Sequence, residues 1–255
     1  VKLLVLVKQV PDAEAQIRIA ADGLSLEAGE GDWRMNPFDE FALEEALRIR
    51  QAHPGSVVDA LTVGPGRAED VLRRSLALGA DVAIRIPCAG QPLPGEIAGR
   101  IAASLRDRPY DLILAGVMSE DAMQGQVGPA LAEWLGIPCA TAVVAEAVAA
   151  AEGLIRVERE LEGGRREALE LRLPALLTVQ SGINRPRYPA LSHVLRSRTQ
   201  PLLALGEEAQ ARAPRHERIE GLAWAKPSGK TLFLTGTATC KAERLAGLFR
   251  ERALI

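Results

Sequence analysis

Asp111-Leu112-Ile113-Leu114-Ala115-Gly116-Val117-Met118-Ser119-Glu120-Asp121-Ala122-Met123-Gln124-Gly125-Gln126-Val127-Gly128-Pro129 contains a complete change of backbone state. Asp111 to Ala115 reads as a strand, and its apolar run from Leu112 has the pattern of burial on both faces. Small and polar residues follow, and from about Gln126 to Trp134 the spacing turns helical until Gly136 stops it. The same alternation extends in both directions. Upstream lie an apolar run Leu3 to Val7, a helical pattern over 38–52 closed by Pro54-Gly55, and a run from Val57 to Val63. A Gly-Pro-Gly turn, a helix over 67–78, a run Val82 to Ile86 and a helix over 94–107 complete that half. Downstream, Pro138 to Val144 and Leu176 to Val179 read as further strands. Between them, Arg156 to Leu161 and Ala168 to Leu173 flank Glu162-Gly163-Gly164-Arg165, a hairpin signal. Strands alternating with helices predict an α/β fold: a mostly parallel, doubly wound sheet with right-handed crossovers. Beyond Ser181 the chain is rich in Pro and Arg with little periodicity until an amphipathic helix over about 241–253. Two parts are therefore expected, a compact domain over 1–184 and an extended C-terminal arm over 185–255.

Composition narrows the function. The chain has 255 residues, 47% hydrophobic and 25% charged, with formal charge −2. That balance hides an asymmetry, because residues 1–184 carry 18 Lys+Arg against 27 Asp+Glu, net −9, and residues 185–255 carry 13 against 6, net +7. A basic segment on an acidic body suggests a docking element for an acidic partner. Aromatics reach only 4%, too few for the base-stacking platforms of single-stranded nucleic-acid binders. No window approaches the roughly 18 apolar residues of a membrane span, and no secretory leader pattern is visible. Cys88, Cys139 and Cys240 are scattered and read as small buried fillers in a reducing compartment rather than zinc ligands.

Familiar catalytic signatures fail. Gly229-Lys230-Thr231 ends like a phosphate-binding P-loop, but Trp224 stands where the leading glycine belongs. No GxGxxG follows the first strand, His53, His193 and His216 have no ligand spacing, and there is no nucleophile elbow. What remains is the loop from Gly116. It leaves the carboxyl end of a buried parallel strand, where open α/β sheets bind ligands, and enters a helix whose free N–H groups and dipole suit a phosphate. Gly125 and Gly128 would allow close approach of the backbone. A second segment, Met35-Asn36-Pro37-Phe38-Asp39-Glu40, reads as a well-made helix start, with Asn36 as N-cap, Pro37 at the first helical position and acids in the first turn.

Taken in order, these pieces resemble a known family. Val5-Leu6-Val7-Lys8-Gln9-Val10-Pro11, Asn36-Pro37-Phe38-Asp39 with Glu44-Glu45-Ala46, Gly79-Ala80-Asp81, the 116–129 loop, Val157-Glu158-Arg159-Glu160 and Asn184-Arg185-Pro186-Arg187-Tyr188-Pro189-Ala190-Leu191 together resemble the β subunit of electron-transfer flavoproteins. The resemblance implies a Rossmann-like, adenine-nucleotide-binding fold. It also implies a heterodimer with an FAD-carrying α subunit, a structural AMP in this chain, and one wall of the FAD site. Such a protein is an electron carrier and not an enzyme: FAD takes electrons from acyl-CoA or other flavin dehydrogenases, as in fatty acid β-oxidation, and passes them to a quinone oxidoreductase. A soluble, cytoplasmic, bacterial protein is the expected setting.

Carried onto this sequence, the resemblance places AMP at Leu6, Asn36, Pro37, Phe38, Asp39, Val63 and the loop Gly116 to Val127, including Asp121, with the phosphate on the amides of Gly125, Gln126 and Val127. Contacts of that kind are mostly main-chain, which accounts for the lack of a charged fingerprint. The partner-recognition loop maps to Arg187 through Arg196, with Tyr188 in it and Leu191 as its apolar anchor. Glu160 matches an acidic residue that holds or releases the mobile flavin domain of α. The chain departs from the family at four places. Arg185 replaces a usual Glu, and only Arg196 and Arg198 remain of a lysine-rich run. Met123 stands where a second acid is common, and Ala13 where an aromatic often borders the flavin. Two other readings compete: a flavin-bifurcating β subunit with a second FAD in place of AMP, against which Phe38 and Met123-Gln124 weigh, and a stand-alone adenine-nucleotide sensor, which leaves residues 185–255 unexplained.

Overall fold

The computed structural model describes residues 1–29, 31–90, 92–206, 217–225 and 231–254. They divide into two compact units, Val1–Gly221 and Leu222–Ile255. The first begins with strand β1 (Lys2–Leu6), followed by the short strands β2 (Gln9–Pro11), β3 (Arg18–Ile19), β4 (Leu26–Glu27) and β5 (Trp33–Met35). Helix α1 (Pro37–Ala52), β6 (Val57–Gly64), α2 (Glu69–Leu78), β7 (Val82–Pro87), α3 (Pro94–Ser104), β8 (Leu112–Gly116) and α4 (Val127–Leu135) come next. Then follow β9 (Cys139–Ala149), β10 (Leu154–Leu161), β11 (Arg165–Arg172), β12 (Ala175–Val179), α5 (Leu191–Ser197) and β13 (Leu203–Ala204). The second unit holds helix α6 (Ala238–Glu251).

One sheet carries the body, in the order β11-β10-β9-β12-β8-β1-β6-β7-β13. Its neighbours run parallel except at β9–β10 and β10–β11. The period of two fixes both cores. Leu3 and Val5 of β1 pack with Leu43, Leu47 and Leu72 of α1 and α2 on one face. Leu4 and Leu6 pack with Ile101 of α3 and Leu131 of α4 on the other. Full burial of each such side chain contributes about 1.5–3 kcal/mol, so the central strand is held from both sides and the sheet is doubly wound, as the alternation predicts.

The helices stop where their residues require it. α4 ends on Gly136 in the left-handed conformation (φ 65°), which costs a residue without Cβ nothing. Gly163 and Gly164 turn the β10–β11 hairpin with φ 74° and 72°.

Several expectations need correction. The body continues past residue 184: α5 packs on α2 and β13 extends the sheet beside β7, so the packing boundary falls after Gly221. The division at 184 follows charge rather than packing. The ribbons β2–β5 and β3–β4 had no visible period, and α6 begins at Ala238, where Thr237 caps it by accepting the Cys240 N–H (3.4 Å). Of the cysteines, Cys88 is buried and Cys139 half-buried, its thiol pushed up to about 11 by burial, but Cys240 is exposed and fills no core. Gly229, Lys230 and His216 lie outside the described residues.

Candidate functional site

The sheet order reverses its direction of growth at β1: β6 lies on one side and β8 on the other. In open α/β sheets the crevice beyond the carboxyl ends at such a reversal is where ligands bind. Here Asp39, in the first turn of α1, spans it. Its Oδ2 accepts the backbone N–H of Lys8 just beyond β1 (2.7 Å), and its Oδ1 accepts that of Gly116 at the end of β8 (3.0 Å). The residue is only 5% exposed. Burial outweighs the two amide donors, and the carboxyl is raised from 3.8 to about 7. Gly116 has no room for a side chain, since a Cβ there would stand 2.5 Å from Asp39 Oδ1 and 2.6 Å from Phe38 Cβ.

Asn36 corrects its expected role. It occupies the N-cap position of α1 but makes no side-chain cap bond. Its Nδ2 donates to the Met118 carbonyl (2.9 Å) and its Oδ1 accepts the Glu120 N–H (3.1 Å), while its own N–H donates to Lys8 O (2.9 Å). The side chain therefore tethers the 116–126 loop. Lys8 Nζ donates to both oxygens of Asp121 (2.7 and 2.8 Å) and to Ser119 Oγ (3.2 Å), and Arg34 Nη2 donates to Glu120 (2.7 Å). Asp121 is thus a loop anchor with its charge offset by Lys8. Sequence reasoning did not assign Lys8 or Arg34 to the site, and took in Ser119 only as part of the loop Gly116 to Val127; a cation directly after the first buried strand was the available signal.

The loop ends at α4. Gly125 takes φ 62°, and a Cβ on it would press to 3.2 Å from Val117 O. Gln126 caps α4 without a side-chain bond, and no described residue accepts from the N–H of Gly125, Gln126, Val127 or Gly128. Unspent amides and the positive end of the helix dipole at one point suit an anion. Gly128 seats α4 on β12, because a Cβ there would collide with Thr178 Cγ2. Leu6 and half-buried Val63, near the ends of β1 and β6, share a core cluster with Val127 at the start of α4, while Pro37 and half-buried Phe38 open α1, with Phe38 against Gly116 at the start of the loop. The residues thus fit a phosphate-bearing ligand with an apolar moiety, and the donor set is main-chain.

The remaining predicted residues lie elsewhere. Arg187 is bound to Glu44 of α1 through Nε (2.7 Å) and Nη2 (2.8 Å), and this pairing holds its guanidinium charged by raising its pKa. Tyr188 and Leu191, by contrast, are 91% and 74% exposed, and Leu195 and Arg196 also face outward on α5. Glu160, exposed near the end of β10, accepts a long bond from Gln180 Nε2 (3.4 Å) and stands opposite Arg166. Among the described residues, no cluster of His, Cys, Asp and Glu could hold a metal ion, and no helix is long and apolar enough to cross a membrane.

Comparison with known proteins supplies the rest. Residues 24–216 match the electron transfer flavoprotein domain. The chain is 34% identical over 264 residues to the electron transfer flavoprotein subunit beta of Bacillus subtilis, with 99% of both chains covered. It is 30% identical to that of Methylophilus methylotrophus, with 98% of both covered. With the Homo sapiens subunit beta it shares 33% identity over 77% of this chain and 78% of that one.

Proposed function

Because the chain belongs to the electron transfer flavoprotein family, matching its beta subunits over most of its length, we propose that it binds AMP structurally at the β1/β8 crevice, completes the FAD site of an α subunit, and presents a docking loop to flavin dehydrogenases in the cytoplasm. The observation that carries the AMP assignment is the set of unspent amides from Gly125 to Gly128 at the start of α4. In this reading Gly125, Gln126 and Val127 hold the phosphate, Asn36 and Asp121 with Lys8 fix the loop that presents them, and Asp39 with Gly116 fixes the crevice. Leu6, Val63, Pro37 and Phe38 border the adenosine. FAD, when bound in the α subunit, supplies the redox chemistry, taking electrons from acyl-CoA or related dehydrogenases and delivering them to a quinone oxidoreductase.

The basic segment after residue 184 is the partner-facing part. Exposed Leu191 beside Tyr188, with Arg196 at the rim, has the make-up of an apolar anchor with a cationic surround. Glu160 is the residue on which the flavin-bearing domain of α is held.

The decisive experiment purifies the heterodimer, denatures it and quantifies released ligands by absorbance and chromatography. One FAD and one AMP per heterodimer is the expected result. Two FAD and no AMP would establish the bifurcating alternative, and a chain holding a nucleotide with no need of an α subunit would establish the sensor.

A further inference from the structure

Helix α5 has little of its own to hold it. It spans seven residues, and isolated helices shorter than about 12–15 residues are marginal in water. Of its side chains only Ser197 is buried and Val194 half-buried, so an apolar stripe does not account for its seat on α2.

Its hydrogen bonds gather at the carboxyl end, where the last carbonyls of a helix have no partner within it. Ser197 Oγ donates to Val194 O (2.9 Å), and the N–H and Oγ1 of Thr199 donate to Arg196 O (3.2 and 3.1 Å). Those donors are near neighbours in the chain. Arg73 of α2 is not: its Nη1 donates to Ser197 O (2.7 Å) and to Gln200 O, across 124 and 127 residues. Among the described residues, Arg73 alone hydrogen-bonds this end of α5 to the body, and no carboxylate pairs with it, whereas its neighbour Arg74 is bound to Glu40 (2.8 Å). Its charge is therefore spent on carbonyls, and a charged donor makes the stronger bond. Upstream of α5 the chain is held on α1, where Arg187 makes three bonds to Glu44. Exposed Leu191 and Leu195, one helical turn apart, lie between the two anchors.

We propose that Arg73 is a positioning residue: by holding the Ser197 and Gln200 carbonyls it keeps α5 formed and seated on α2, so that Leu191 and Leu195 leave the surface in one pose before a partner arrives. A helix preorganised in this way spares the partner the cost of ordering it. That the pose serves dehydrogenase docking rests on the function proposed above; the clamp itself does not.

Hydrogen exchange followed by mass spectrometry on the complete heterodimer tests the clamp. Arg73→Met keeps the stem and removes the donors. Protection at residues 193–199 is expected to fall at least about tenfold, the worth of one hydrogen bond to a charged group, with the amides of α2 and the FAD content unchanged. Arg73→Lys, whose ammonium ends one bond short of the nitrogen that makes both contacts, is expected to lie between Arg73→Met and wild type, and it carries the comparison if the methionine variant yields no heterodimer. Unchanged protection of α5, or an equal fall in α2 and α5, would overturn the clamp. Docking is read separately, by steady-state reduction with a dehydrogenase that the wild type accepts. In Arg73→Met the KM for the heterodimer is expected to rise severalfold, as the share of molecules with α5 formed falls, while kcat is kept. A loss of kcat at constant KM would overturn the positioning role. If Leu191→Ala leaves the kinetics untouched while α5 loosens in Arg73→Met, the docking reading falls and the clamp stands.

Discussion

Asp39 shows how one side chain can fasten two strands that the chain itself keeps far apart. Its two oxygens hold amides at the ends of β1 and β8, and the missing side chain of Gly116 makes the approach possible. Gly116→Ala is therefore expected to destabilise the chain by about 1–3 kcal/mol, the range for an added group in a filled site, and to lower AMP retention. Thermal unfolding and nucleotide recovery measure both. The raised pKa of Asp39 gives a second prediction. The folded chain keeps a proton between the ordinary value of 3.8 and about 7 that the unfolded chain has released. The associated stability is full below 3.8 and lost as pH rises through about 7. Asp39→Asn abolishes that dependence, so the stability advantage of wild type over variant should shrink steadily from pH 4 to pH 8 in urea titrations.

At the scale of elements, the strands of the parallel core were legible because burial on both faces leaves continuous apolar runs; β1, β6, β7, β8 and β12 lie within a residue or two of their predicted limits, β8 over Leu112–Gly116 against an expected Asp111 to Ala115. The hairpin between β10 and β11 was legible through its glycines. The ribbons before α1 were not, since β3 and β4 have two residues each and no period can show in so short a span. α5 was hidden for a similar reason: Leu191, Leu195 and Arg196 all face outward, so the helix has almost no buried stripe. In the candidate site the glycine spacing and helix entrance could be read directly, but Asn36 passed as a cap and Lys8 went unassigned because their partners lie 82 and 113 residues away. Leu191 belongs to this scale, as the exposed first residue of α5. Leu191→Ala is expected to slow electron transfer from the cognate dehydrogenase roughly tenfold, the cost of an interface anchor, with the bound FAD spectrum unchanged. Stopped-flow reduction by the dehydrogenase checks it.

For the whole molecule, the division after Gly221 separates the unit that carries the proposed nucleotide site from the basic remainder. A chain ending at Gly221 keeps both cores, the sheet, α5 and every site residue. It is expected to unfold within about 1 kcal/mol of the complete chain and to retain AMP. Its yield of heterodimer on co-expression with the α subunit should fall, because exposed Leu245 and Phe249 of α6 are lost. Denaturant titration and size-exclusion chromatography separate the two effects. The net charge of −2 then describes no part of the protein: an acidic body and a basic remainder would, on the proposed function, face different partners.

The adjacency of β1 and β8 also has a meaning in time. Lys2 and Asp111, which bond side by side at the start of these strands, are 109 residues apart. During synthesis at about 5–20 residues per second, one flank of β1 stays open for on the order of ten seconds. Until β8 emerges and closes it, the crevice does not exist, so a nucleotide bound there as proposed could be captured only by a chain that has already joined the two halves of its sheet.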